Sequence, residues 1–345
     1  MPVKANAGKG NSGAAPAAPQ PRRNGKTPRQ AADAGAPPAT SSGDIDPETH
    51  AALIHELMQT GQDSRRAGDK INTAGEVRYH YALNSGAGLW GQDISGFRAR
   101  LAFDAETRPD WRIHGMLEGK RNILNYDNHA GLPYLFLEGK LGRSLLRAGS
   151  FSHLMAEGNI YDSGFDGIQL NFGEPVKYRL SYGETGHSKE TAIATARYED
   201  FDYNLEAGVY HYRTDTDQKN TIRSLGGNYN FSNFGVGATI LSATLQDSQG
   251  DHDGYVLSFN YGGLKTWRPG TYSLFAKYYN QPQGTYIMHG MNGPGSRMQG
   301  FKGYGLGMGY TVAANFVAGL EYYDLSEKAS GDSARTWWSY LMQYF

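Results

Sequence analysis

The chain has 345 residues and a formal charge of −1, with a pI near 6.8, so no whole-chain field draws it to nucleic acid. It contains no cysteine, which excludes a disulfide framework and Cys-ligated metal, while 46 glycines and 24 tyrosines favour strands and tight bends over helices. A mean hydropathy of −0.59 and the lack of any run of 18 apolar residues exclude a membrane-spanning helix. They do not exclude a membrane barrel, whose short strands turn only every second residue to lipid.

In chain order, residues 1–44 are rich in Ala, Pro, Gly, Ser and Gln and are predicted to be a disordered tail. Arg22, Arg23, Lys26 and Arg29 give it positive charge for an anionic partner such as a cell-wall polymer, or it is a solvated spacer. The opening MPVKANAGKG lacks the apolar core of a signal peptide, so an exported chain of this sequence is expected to be a mature or trimmed form. Residues 45–71 read as a short amphipathic helix and linker. Asp46 is placed to cap, Pro47 fits the first helical position, and Leu53, Ile54, Leu57 and Met58 recur at helical spacing.

From Gly75 the period changes to two. "EVRYHYAL" sets Val77, Tyr79, Tyr81 and Leu83 against Arg78 and His80, and "FRARLAFD" sets Phe97, Ala99, Leu101 and Phe103 against Arg98 and Arg100. Sixteen such runs begin near residues 75, 97, 110, 133, 143, 166, 175, 190, 202, 220, 234, 253, 270, 301, 314 and 335. Links after even-numbered runs are short, such as "GR" and "SN"; those after odd-numbered runs are longer and polar. Such alternation is what an up-and-down antiparallel sheet with two different ends produces.

The two faces differ in kind. The apolar phase gathers aromatics beside the short turns: Phe103 with Trp111, Tyr198 with Tyr203, Tyr229 with Phe231, Tyr261 with Tyr272, Tyr310 with Phe316. The polar phase of the first eight runs carries Arg78, Arg98, Arg100, Arg112, His114, Glu118, Lys120, Glu138, Lys140, Arg147, Lys177, Arg179 and Arg197. Burying these in a dry core would cost several kcal/mol for each unpaired ion, so this phase must face water. A wet inside and an apolar outside describe an all-β, 16-stranded antiparallel transmembrane barrel over residues 72–345, wide enough for an aqueous channel. The last run, "TWWSYLMQYF", closes it against "EVRYHYAL". Its phase is open. Phe345 suits one reading, whereas Trp338, Tyr340, Met342 and Tyr344 form the better apolar face.

On the sixteen runs, the two kinds of link, the terminal Phe345 and the "GEVRYHY" opening after a helical stretch, the chain resembles a general outer-membrane porin of Gram-negative bacteria. Within that group it resembles the porin domain of outer-membrane anchor proteins of diderm Firmicutes. It departs from the terminal signal at Gln343, where an aromatic is expected, and what is read before the barrel is a short helix and a Pro/Ala-rich tail in place of the group's coiled coil. The resemblance implies outer-membrane localisation, lipid around the barrel, passive diffusion of small hydrophilic solutes, no cofactor, and a homotrimer. It also implies that the stretch after the fifth strand, "SFSHLMAEGNIYDSGFD", folds into the channel, which makes Glu157, Asp162 and Asp166 the constriction-loop acids. The facing wall is then Arg78, Arg98, Arg100, Arg112 and Arg147, with Lys140, Lys177 and Arg179, and carboxylates opposite cations set up a transverse field.

Two alternatives compete. One is a channel for polysaccharide secretion or uptake, with inward aromatics Tyr134, Phe136, Tyr210, Tyr212, Phe275, Tyr279 and Tyr323 as a sugar slide. The other is a membrane anchor that grips the cell wall or a periplasmic partner through residues 1–70. Enzymatic readings fail: His114, His153, His187, His211, His252 and His289 lack metal-ligand spacing, Ser150, Ser152 and His153 sit in no nucleophile elbow, and "GYGLGMGY" precedes no helix. Small inward residues at Ser224, Gly226, Gly237, Gly305, Gly307 and Gly309 mark room for a neighbouring protomer, an inserted segment or a plug.

Overall fold

The structure, a computed structural model, describes residues 71–345 apart from positions 87 and 215. The expected tail and the helical segment before residue 71 lie outside the described residues. The strands are β1 (Ile71–Gly86), β2 (Ile94–Arg108), β3 (Trp111–Asn122), β4 (Asn128–Leu141), β5 (Ser144–Met155), β6 (Tyr161–Phe172), β7 (Val176–Thr185) and β8 (Ser188–Glu199). They continue as β9 (Tyr203–Arg213), β10 (Lys219–Phe231), β11 (Phe234–Ala243), β12 (Asp253–Gly262), β13 (Tyr272–Gln281), β14 (Phe301–Ala313), β15 (Phe316–Glu327) and β16 (Ser333–Tyr344). Each pairs antiparallel with the next, and β16 pairs with β1 from Glu76↔Tyr344 to Gly86↔Ala334, closing the barrel. Closure leaves the sheet without a first or last edge strand, as hydrocarbon surroundings require.

The period-two pattern maps onto two surfaces. Leu101, Leu117, Leu180, Leu225, Val236, Leu257, Leu306 and Leu320 are exposed on the outside. The aromatic rim beside the short turns is continuous on one flank, with ring centroids 5.9 Å apart for Tyr198–Tyr203, 5.4 Å for Phe231–Phe234, 4.7 Å for Phe234–Tyr261 and 6.0 Å for Tyr261–Tyr272. A second girdle, missed in the sequence, runs near the loop end through Tyr255, Tyr278, Tyr304, Tyr322 and Trp337, with Tyr322 and Trp337 4.5 Å apart. Paired interfacial belts are the anchors of a membrane-embedded surface.

One expectation needs correction, and the open phase of the last strand is settled. The loops after odd-numbered strands are mostly shorter than the sequence suggested, because β5 runs on to Met155, β6 begins at Tyr161, and residues 186–187 alone separate β7 from β8. Polar side chains there mark where strands leave the apolar band, not where pairing stops. The richer apolar face of β16 points inward: Trp338, Tyr340, Met342 and Tyr344 are buried while Trp337, Leu341 and Phe345 are exposed. Register dictates this, since directly paired residues share a face and Arg78↔Met342 and Val77↔Gln343 are paired. The turn at residues 263–271 covers these inward rings, with Leu264 packed on the cluster of Ala82, Val317, Trp338 and Tyr340.

Candidate functional site

The interior is shaped by two segments that leave the wall. β5 pairs with β4 no further than Leu135↔Ser150, and β6 pairs with β7 no earlier than Phe165↔Thr185, yet β5 and β6 stay paired to Met155↔Tyr161. Residues 151–164 are therefore a two-stranded tongue rather than an irregular loop. It bends inward at a row of glycines. Gly149 has φ of +127°, and a Cβ on Gly167 would lie 2.3 Å from the Tyr182 carbonyl oxygen and 2.8 Å from the Gly183 Cα. Strand backbones that close admit no side chain.

The tongue crosses the lumen. Met155 and Ile160 pack against Tyr210, Ile222 and Leu241 on β9, β10 and β11. At its tip Glu157 accepts a hydrogen bond of 2.5 Å from Asn228 Nδ2 and lies 3.7 Å from Arg197, while Asn159 Nδ2 donates to Thr239 at 3.2 Å. The left-handed conformations of Ala156, Glu157 and Gly158 make the tight tip.

The second inward segment, residues 282–300, follows β13. Its Ile287 N–H donates to the Ile160 carbonyl at 2.9 Å, and Gln281 Nε2 donates to the Asn159 carbonyl at 2.8 Å, so segment and tongue brace each other. Asn220 Nδ2 donates to the Gly284 carbonyl at 2.7 Å, Asn292 Nδ2 donates to Glu321 at 3.1 Å, and the Tyr286 hydroxyl donates to the Met298 carbonyl. Tyr286 and Met298 pack with Val256, Tyr279, Phe301, Tyr323 and Leu325. His289 Nδ1 sits 2.7 Å from the Ile287 carbonyl, and burial, helped by Lys277, pushes its imidazole down to about 4. The sequence held a sign of this insertion, since Tyr286, Ile287, Met288, Met291 and Met298 are unusually apolar for a water-exposed loop. The small inward residues of β14 are thus filled by this chain itself; the Phe275 and Tyr323 rings also lie over Gly307 and Gly305.

These insertions cover most of the aromatics proposed as a slide, while Tyr134 stays on the cavity wall. Tyr210, Tyr212, Tyr279 and Tyr323 are buried beneath them, and Phe136 packs against the tongue's cluster. The rings serve as packing surface.

Opposite the tongue stands a basic wall. Arg78, Arg98, Arg100 and Lys120, from β1, β2 and β3, line a cavity of about 370 Å³ together with Ser95, Tyr134 and the tongue's Asp162 and Ser163. Two acids hold the wall from behind. Glu76, fully buried, lies 2.9 Å from Arg98 and 3.8 Å from Arg100, and Glu118 lies 2.7 Å from both Arg100 and Lys120. Arg78 stands 5.7 Å over the Trp338 ring, on which His80 stacks at 4.8 Å.

The remaining candidates are dispersed. Arg112 and His114 meet Asp104 at 3.8 and 3.1 Å, and Arg147 meets Glu138 at 2.5 Å. Arg179 donates to Asn171 and to the Leu154 carbonyl, near the tongue's tip. Lys140 with Asp110 and Lys177 with Glu199 are exposed rim pairs. Asp166 is misassigned: it shares the outward phase with exposed Ile168 and pairs with Ser150 and Glu184, so it does not enter the lumen. The sequence reading kept it in the loop because the sixth strand was expected to begin only near residue 166, whereas β6 begins at Tyr161.

No protein-family model matches the chain, and no curated protein matches it in sequence. Solved structures match in shape. A Salmonella typhi OmpF complex with daunomycin aligns at TM-score 0.55 and 13% identity, over 81% of this chain and 98% of that one. A triple mutant of the Rhodopseudomonas blastica porin aligns at 0.54 and 14%, over 80% of this chain and all of that one. A loop-deleted OmpT, an outer membrane protein of Vibrio cholerae, aligns at 0.54 and 15%, again over 80% and 100%. With the closed strand order and the wet, charged inner face, this likeness shows the fold: the described chain is a porin-like barrel of sixteen antiparallel strands.

Proposed function

We propose that the protein is an outer-membrane porin that passes small hydrophilic solutes and ions by diffusion, without enzymatic activity. The observation that carries this reading is the opposition of surfaces, a charged interior with a cavity inside a barrel whose exterior is apolar and carries an arc of aromatics at each end. The tongue narrows the path, with Asp162 facing Arg78, Arg98 and Arg100 across the gap. Such an arrangement orients dipolar solutes and sets ion preference. The membrane is the outer membrane of a diderm bacterium, where barrels of this shape reside, and the working unit is a homotrimer with lipid around it. The finer resemblance, to porin domains of outer-membrane anchor proteins of diderm Firmicutes, gives residues 1–70 a second task in touching the cell wall or a periplasmic partner. Peptidoglycan should then retain the full chain but not a chain lacking residues 1–70.

Single-channel recording of the refolded protein in a planar bilayer tests the main reading. Large ohmic steps, grouped in threes for a trimer, are the expected result. A protein that inserts yet never conducts would overturn it.

A further inference from the structure

We propose that the cavity between the tongue and β1–β3 is a saturable binding site for small oxyanions, carboxylates or phosphates, a reading that rests on the channel function above. The argument begins with which charges stand in front. Arg78, Arg98, Arg100 and Lys120 line the cavity, and Asp162 is the acid among its lining side chains, whereas Glu76 and Glu118 lie behind the cations and do not line it. A solute entering there meets an excess of positive charge although the wall as a whole is nearly balanced.

Preorganisation follows from the same geometry. Glu76 and Glu118 fix Arg98 and Arg100 at 2.9 and 2.7 Å, and Arg78 rests over Trp338. Side chains already ordered lose little further entropy on binding. A guanidinium presents a planar fork of N–H donors that matches the paired oxygens of a carboxylate or phosphate, a match a spherical halide lacks. Tyr134 and Ser163 are further hydroxyl-bearing residues in the cavity's lining. Its volume of about 370 Å³ falls within the roughly 300–1,000 Å³ usual for small-ligand sites.

The test uses the full-length protein in planar bilayers, carrying chloride current at fixed ionic strength, with inorganic phosphate and succinate as probes. Each probe should lower the chloride conductance along a saturating curve. Replacing Lys120, about half exposed, by Gln should raise the half-blocking concentration roughly fivefold, the scale of about 1 kcal/mol, and Asp162→Asn should lower it. Lys177→Gln, at the turn rim, should leave it unchanged. Ohmic channels whose chloride conductance ignores both probes would overturn the site and leave the channel standing. Equal shifts from Lys120→Gln and Lys177→Gln would also overturn it, by showing diffuse attraction instead of a site. Absence of ohmic steps would overturn both readings.

Discussion

His289 shows how one side chain couples the inserted segment to pH. Its imidazole is pushed down to about 4 by burial, against about 6.5 for a free histidine. Both the packed and the released states are neutral above pH 6.5, so packing is then unpenalised. As pH falls from about 6.5 towards 4, a released segment takes up a proton that the packed one refuses, and stability is lost across that window. Lys277, Glu157 and Asp162 share the small cavity that His289 faces, so the added charge arrives among fixed charges of both signs. Hydrogen exchange over residues 282–300 should accelerate between pH 6.5 and 4 in the native protein and stay level in His289→Asn, which keeps a donor for the Ile287 carbonyl. Acceleration of equal size in the variant would assign the effect to another group. At this scale the sequence was legible by phase. Arg78, Arg98 and Arg100 alternate with apolar neighbours and line the inner cavity, whereas Asp166 was put on the wrong side, because its side depends on where β6 begins.

Among the elements, the tongue is the one that narrows the lumen of the barrel, and its inward bend is built from backbone contact. At Gly167 a side chain would collide with the Tyr182 carbonyl and with Gly183. Gly167→Val should therefore separate β6 from β7 at the crease, with overpacking of about 1–3 kcal/mol. The expected result is noisier, larger conductance with the barrel still resistant to denaturation by detergent; a trace identical to the native one would show that the crease does not set the tongue's position. The segment 282–300 makes a separable case. Replacing residues 284–299 by a short Gly-Ser link leaves the β13–β14 ladder from Tyr272↔Tyr310 to Gln281↔Phe301 intact. Conductance should rise severalfold as the β9–β14 side of the lumen is uncovered, and an unchanged value would mean that the segment lies outside the conducting path. Strands were readable here because period two is a local signal. The insertion was not, because an apolar loop declares that it packs on something without declaring which wall, and that wall exists only after the barrel closes.

Taken whole, the lumen is divided. From β9 to β15 the inner wall is covered by the tongue and by residues 282–300, and the rings of β16 are covered by the turn at 263–271; from β1 to β3 it remains lined by cations with acids behind them. Solutes should then travel along one side of the barrel and meet positive charge there. Because the chain contains no cysteine, a single introduced thiol reports this route without background. Lys120→Cys lies on the open side, and Ser224→Cys lies on β10, where Ser224 is buried. An anionic thiol reagent added during recording should reduce the Lys120→Cys current within seconds and act on Ser224→Cys at least about tenfold more slowly, since reaction tracks thiol access. The basic frontage also fixes a sign. A cationic reagent of equal size should modify Lys120→Cys more slowly than the anionic one, and the reversal potential of the native channel in a salt gradient should show weak anion preference, diminished as salt screens the wall. Equal modification of the two thiols would mean that both sides of the barrel conduct. A clear cation preference would mean that Glu76, Glu118 and Asp162 outweigh the cations standing in front of them, and the transverse field would then have to be drawn the other way round.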